Sequence, residues 1–190
     1  MKVAFVIYDR MTALDFVGVY DALTRLRTMR FVADFEWDVC APAAEVTDFS
    51  GLRVAASRVG GSLAEYDWLV VPGGFGSRTL AKDATFVAWL QTAAGCRLKA
   101  SVCTGSVLLG AAGFLKGRRA TTHPAAFDEL RPYCEQVVDE RIVDEGEVIT
   151  ARGVTSAIDL GLYLCEKMAG REVREAIAAQ MDYPYYPQQS

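Results

Sequence analysis

Trp68-Leu69-Val70-Val71 is apolar at every position and then stops at Pro72-Gly73-Gly74-Phe75-Gly76. A strand with one wet face alternates apolar and polar residues, so an unbroken apolar run predicts a strand covered on both faces. Such cover arises when parallel strands are joined by helical crossovers. The rest of the chain follows that plan. Lys2 to Tyr8 reads as a first buried strand, Leu14 to Leu26 places Leu14, Val17, Leu23 and Leu26 at helical spacing, and Phe35 to Ala41 reads as a strand closed by Pro42. Val46 to Val54, interrupted by Ser50-Gly51, predicts a small hairpin. Ala84 to Ala94 predicts a helix, Leu98 to Val102 a strand, and Thr104 to Leu115 the helix behind it. Gln136 to Ala151 holds two strand-like runs about a turn at Glu145-Gly146, and Thr155 to Met168 and Glu172 to Met181 predict closing helices. This alternation predicts an α/β fold, a mostly parallel sheet sandwiched by helices. With 190 residues and no repeat or linker, one domain over 1–190 is expected. The prolines of the Asp182 to Ser190 ending forbid regular helix, leaving an extended arm or a frayed end.

Charge narrows the partners. A net charge of -4 supplies no basic field for nucleic acid or anionic lipid. The longest uncharged stretch, Ala100 to Leu115, is broken by glycines and falls short of the ~20 apolar residues of a membrane span. The apolar N-terminal run is too short for a secretory signal, so a soluble, cytoplasmic protein is expected. Five cysteines at irregular spacing, no C-x-x-C pair and a single histidine, His123, encode neither a disulfide framework nor a zinc site. The thiols are expected to be reduced, with Cys96, between Gly95 and Arg97, the most exposed of them.

Ligand sites in doubly wound sheets lie at the carboxyl ends of the strands, and three features converge there. Cys103-Thr104 follows the Leu98 strand and opens a helix, the form of a nucleophile elbow. The first free N–H groups of that helix face the sulfur and favour thiolate, although a cysteine ending a core strand also serves as plain packing. Gly73-Gly74 lets backbone N–H groups approach a ligand and form an oxyanion hole with the Thr104 N–H, or merely permits a tight turn. Asp15 begins the first helix and acts either as an N-cap or first-turn carboxylate or as a proton donor whose pKa a neighbouring thiolate would raise. His123, before Pro124, reads as a structural imidazole near the sheet edge. Ser101 and Ser106 are expected to bond backbone, Thr155 to cap a helix, and Asp159 to be paired in a structural or subunit-contact role.

Leu14-Asp15-Phe16-Val17-Gly18, Val70 to Gly76, Ser101-Val102-Cys103-Thr104-Gly105-Ser106, Ala120-Thr121-Thr122-His123 and Gly153 to Asp159 together resemble the ThiJ/PfpI superfamily, its isocyanide hydratase branch above all. The resemblance runs from Met1 to about Pro187 and implies a flavodoxin-like sheet, a homodimer and a site that needs no cofactor. It further implies that Cys103 attacks a small electrophile, an isocyanide, to give a thioimidate that water converts to an N-formamide. Asp15 would be the general acid and base, and the Thr104 and Gly74 N–H groups would orient the substrate. Three residues depart from related branches. Thr104 stands where peptidase-like members have histidine, Asp15 where glyoxalase and deglycase members have glutamate, and Ala157 where a glycine is expected. Two alternatives remain beside the hydratase: a redox or ligand sensor with an oxidisable Cys103, and a cofactor-independent glyoxalase.

Overall fold

The computed structural model describes residues 1–185. The chain opens with β1 (Lys2–Val6), crosses through α1 (Ala13–Thr28) and returns as β2 (Glu36–Ala41). A hairpin of β3 (Glu45–Thr47) and β4 (Arg53–Ala55) and a short β5 (Arg58–Val59) follow, then β6 (Trp68–Val71). Next come α2 (Ser77–Leu80), α3 (Ala84–Gln91), β7 (Leu98–Val102) and α4 (Gly105–Ala111). The last third comprises β8 (Arg119–Ala120), α5 (Phe127–Leu130), β9 (Gln136–Val137), β10 (Ile142–Asp144), β11 (Val148–Ala151), α6 (Ser156–Ala169) and α7 (Arg171–Gln180).

Seven strands form one sheet in the order β10-β11-β7-β6-β1-β2-β5, parallel throughout except for the β10–β11 pair. This is the mostly parallel, helix-covered α/β sheet expected from the apolar runs, in the flavodoxin-like form that the resemblance implies. All four residues of β6 and all five of β7 are buried, because helices cover both faces. Chain order reverses between β1 and β6: the chain leaves β1 toward β2 on one side and resumes at β6 on the other. The loops after β1, β6 and β7 therefore open into one crevice at the carboxyl ends of adjacent strands.

Helix α1 is fixed from behind by α6. A Cβ built on Gly18 would stand 2.7 Å from Ala157 Cβ, and one on Gly161 2.7 Å from Ala22 Cβ, so the two helices meet along a seam of small side chains. Ala157, which departs from the expected glycine, fits because Gly18 opposite it has no side chain.

Several local expectations change. Cys96 is 3% exposed: the turn at Thr92–Gly95 folds the sulfur inward toward the Leu63 carbonyl, and Cys134 is the partly exposed cysteine. Thr155 occupies the N-cap position of α6 without making a side-chain cap bond; its hydroxyl faces Arg141 instead. Ser106 bonds backbone as expected, whereas the buried Ser101 hydroxyl has no protein partner. Asp159 is fully buried, takes the Arg141 guanidinium and accepts the Tyr183 hydroxyl at 2.9 Å, which ties the start of the C-terminal ending to α6. Residues 186–190 of that ending lie outside the described residues. The two-residue strands β5 and β8 carried no sequence pattern, being too short to show a period, and the run read from Gln136 is divided into β9, which pairs with β8, and β10.

Candidate active site

Cys103 has φ of 55°, a left-handed conformation that a side chain with a Cβ adopts only under constraint. The constraint is visible on both sides of the residue. Its N–H is shared between the Ala151 and Arg152 carbonyls, each at 3.0 Å, so β11 holds it as a continuation of the sheet. Its carbonyl accepts the Thr122 hydroxyl at 2.9 Å and the Ser106 hydroxyl at 3.1 Å. Together these bonds hold the elbow and turn the sulfur away from the strand, toward the crevice.

Asp15 is the third residue of α1, so of its two expected helix roles it takes that of first-turn carboxylate, Thr12 occupying the N-cap position, and it is fully buried. Its carboxyl reaches beneath the β6 loop, where Oδ2 accepts the Gly73 N–H at 3.1 Å. Oδ1 is buried and has no hydrogen-bond partner in the protein. Gly73 is the point on which the site converges. A Cβ there would lie 2.5 Å from the Thr104 nitrogen, 2.7 Å from Cys103 Cβ and 2.9 Å from Asp15 Oδ2, closer than any side chain tolerates. Glycine at this position lets acid, nucleophile and helix start share one small space.

Thr104 contributes more than its backbone. Its hydroxyl accepts the Gly74 N–H at 2.9 Å, donates to the Gly74 carbonyl at 3.1 Å and lies 2.9 Å from the Ser77 hydroxyl. Gly74 itself has φ of 130°, a conformation reserved for glycine. Both glycine N–H groups thus have protein acceptors, which differs from the open oxyanion hole expected of them. The hydroxyl of a β-branched residue after the nucleophile was the available signal, and the expectation used only its N–H.

Burial pushes the Asp15 carboxyl up from 3.8 to about 7, against hydrogen bonds from the Gly73 N–H and Cys103 that pull it down. The cause is thus desolvation and not the like-charge pressure expected. Burial also pushes the Cys103 thiol up to about 12, and the Asp15 charge adds to the rise; the Thr104 N–H and hydroxyl oppose both. The helix start therefore moderates the thiol without making it an open thiolate. With the carboxyl raised to about 7 and the thiol to about 12, the carboxyl is the group that ionises first and the second proton stays on the sulfur.

Above the sulfur lies a cavity of about 410 Å³ lined by Thr12, Phe49, Gly74, Phe75, Arg78, Cys103, Thr104, His123, Ala125 and Val154. His123 reaches its rim, but its Nδ1 accepts the Ala125 N–H at 3.2 Å and its ring packs on Gly153; it makes no hydrogen bond to Cys103. Phe49, Phe75 and Val154 come from three loops far apart in sequence, with Arg78 from α2 just after Phe75, and no spacing rule could have gathered them. Among the described residues no group of three or more His, Cys, Asp or Glu side chains is placed to hold a metal ion. None of the described helices is long and apolar enough to cross a membrane.

Comparison with known proteins agrees with the fold. Over 188 residues the chain is 32% identical to an isonitrile hydratase of Pseudomonas putida, covering 98% of this chain and 80% of that one. The crystal structure of a ThiJ/PfpI family protein from Pseudomonas syringae matches with a TM-score of 0.88 at 28% identity, covering 100% of this chain and 77% of that one. Oxidized DJ-1 from Toxoplasma gondii matches at 0.80 with 26% identity, over 97% of this chain and 99% of that one. The DJ-1/PfpI family model matches residues 1–167, and the chain belongs to that family.

Proposed function

We propose that this protein hydrates isocyanides to N-formamides through a covalent adduct on Cys103, with Asp15 moving the protons and no cofactor. The observation that carries the reading is the pairing of the nucleophile with a buried carboxyl in place of an imidazole. The similarity to an isonitrile hydratase supports the same substrate class.

The steps follow from the pair. The thiol faces the ionised Asp15, which takes its proton as sulfur attacks the terminal isocyanide carbon. That carbon gains electron density as the C–S bond forms and receives the proton back from Asp15, giving a thioimidate, R–N=CH–S–Cys103. Water then adds to the same carbon, with Asp15 again handling the proton. The tetrahedral adduct expels the thiol and leaves the N-formamide. The Thr104 N–H stabilises the sulfur while it carries charge, at attack and again at release, and the Thr104 hydroxyl holds the Gly74 loop beside it. Gly74 borders the cavity, while Gly73 lies behind it against Asp15, Cys103 and Thr104, and the N–H groups of both are engaged by Thr104 and Asp15 respectively.

The proposal includes a cytoplasmic homodimer. Leu14 and Val17, one turn apart on α1, are large apolar residues, 41% and 42% exposed, and form a surface suited to a second copy. Five free cysteines accord with a reducing compartment.

Incubation with an alkyl isocyanide should yield the N-formamide, and Cys103→Ala should abolish it. No turnover, or equal turnover by the variant, would overturn the reading. Reversible oxidation of Cys103 by mild peroxide in the absence of turnover would favour a sensor, and lactate from methylglyoxal a glyoxalase.

A further inference from the structure

Phe49 and Phe75 are 52% and 56% exposed, an unusual condition for two large rings, and they sit together at the mouth of the cavity that ends on Cys103. They are not loose. Their centroids are 5.8 Å apart at 72°, edge to face, and the Arg78 guanidinium lies 5.9 Å from the Phe75 ring. Phe49 is carried by a loop in which Asp48 accepts the Ser50 and Leu52 N–H groups at 2.7 and 2.9 Å. Phe75 belongs to the glycine turn that Thr104 and Ser77 hold. Arg78, the cation among the lining residues, donates to Glu129 through two nitrogens at 3.1 and 2.8 Å, so its charge is matched before any substrate arrives. The cavity thus presents two fixed aromatic rings, Val154 and a neutralised cation, with the nucleophile at its floor.

Resting on the hydratase reading, we infer that the substrate is an uncharged isocyanide bearing an aromatic ring one or two bonds from the nitrogen, seated against Phe49 and Phe75. A volume of about 410 Å³ is far more than an isocyano group needs and lies in the range used for ring-bearing ligands. An anionic substituent would have to displace Glu129 from Arg78, and a cationic one would face the guanidinium. A flat neutral ring extends the edge-to-face arrangement already present.

The test compares benzyl isocyanide with propyl isocyanide, whose reacting carbons are electronically alike, in the wild type, Phe75→Leu and Phe49→Leu. The wild type should favour the benzyl compound at least about tenfold in kcat/KM. Each leucine variant keeps apolar bulk and loses a ring, so the benzyl-over-propyl ratio should fall roughly two- to tenfold, through KM more than kcat. A wild-type ratio near one, or a ratio unmoved in both variants, overturns the inference. A second readout is independent of turnover. N-benzylformamide should protect Cys103 from iodoacetamide better than N-propylformamide, and Phe75→Leu should erase the difference. If neither isocyanide reacts, the hydratase reading fails, and protection still decides the aromatic subsite: selective protection supports it and equal protection refutes it.

Discussion

Replacing Asp15 by Asn separates what the carboxyl does for chemistry from what it does to the fold. The amide is nearly isosteric, and its oxygen can still accept the Gly73 N–H that Oδ2 now takes at 3.1 Å. The removed property is the titration. A carboxyl raised from 3.8 to about 7 in the folded protein stabilises it fully below the unfolded value, and that stabilisation is lost as pH rises through about 7. The whole interval corresponds to about 4 kcal/mol. At pH 5 the unfolded carboxyl is already mostly ionised, so part of the penalty is present; by pH 8.5 it is complete. Asp15→Asn should therefore gain about 2 to 3 kcal/mol relative to wild type between pH 5 and pH 8.5, read by urea unfolding at both values. The same variant should make the Cys103 thiol more acidic, because the Asp15 charge is the second largest cause of its high pKa, and alkylation by iodoacetamide near pH 8.5 should quicken. Hydration should nonetheless fall by about 10² to 10⁴, the usual contribution of a positioned acid and base. A stability difference that does not change with pH, or a thiol that becomes less reactive, would refute the reasoning.

Two further substitutions probe the elbow. Cys103→Ala and Cys103→Gly both lose turnover, but glycine accepts φ of 55° without strain, so the glycine variant should be the more stable of the two by about 1 kcal/mol in denaturant titration. Thr104→Val keeps the shape and deletes the hydroxyl that pairs with the Gly74 N–H and carbonyl, so thermal and urea unfolding should show a loss of about 1 to 3 kcal/mol, with Thr104→Ser restoring most of it.

The sheet was legible because its signal is strong and local. Apolar runs as continuous as Trp68 to Val71 have few other uses, and each ends in residues that break a strand. Asp15, Gly73 and Cys103 could be gathered on one edge because a parallel sheet delivers all its strand ends to the same side. What lay beyond sequence depended on depth and on loop paths. The pressure on Asp15 comes from burial, which no pattern of neighbours along the chain expresses. Thr104 looked like the start of a helix, and its hydroxyl turned out to clasp a loop 30 residues earlier. Cys96 looked exposed between glycine and arginine, yet a single turn folds its sulfur inward. The aromatic wall joins a hairpin tip to a glycine loop, a meeting that only the closed fold creates.

The seam between α1 and α6 carries a consequence for how such a site can be retuned. Gly18 stands one turn beyond Asp15, and across from it lie Ala157 and Gly161 on a helix that forms no part of the reaction cavity. A methyl group added on α6 would push α1 outward and carry the carboxyl with it, changing its depth and hence its affinity for a proton. The acidity of this centre is in that sense set by a spacer. Distant packing choices can adjust it by fractions of an ångström while every reacting group keeps its identity.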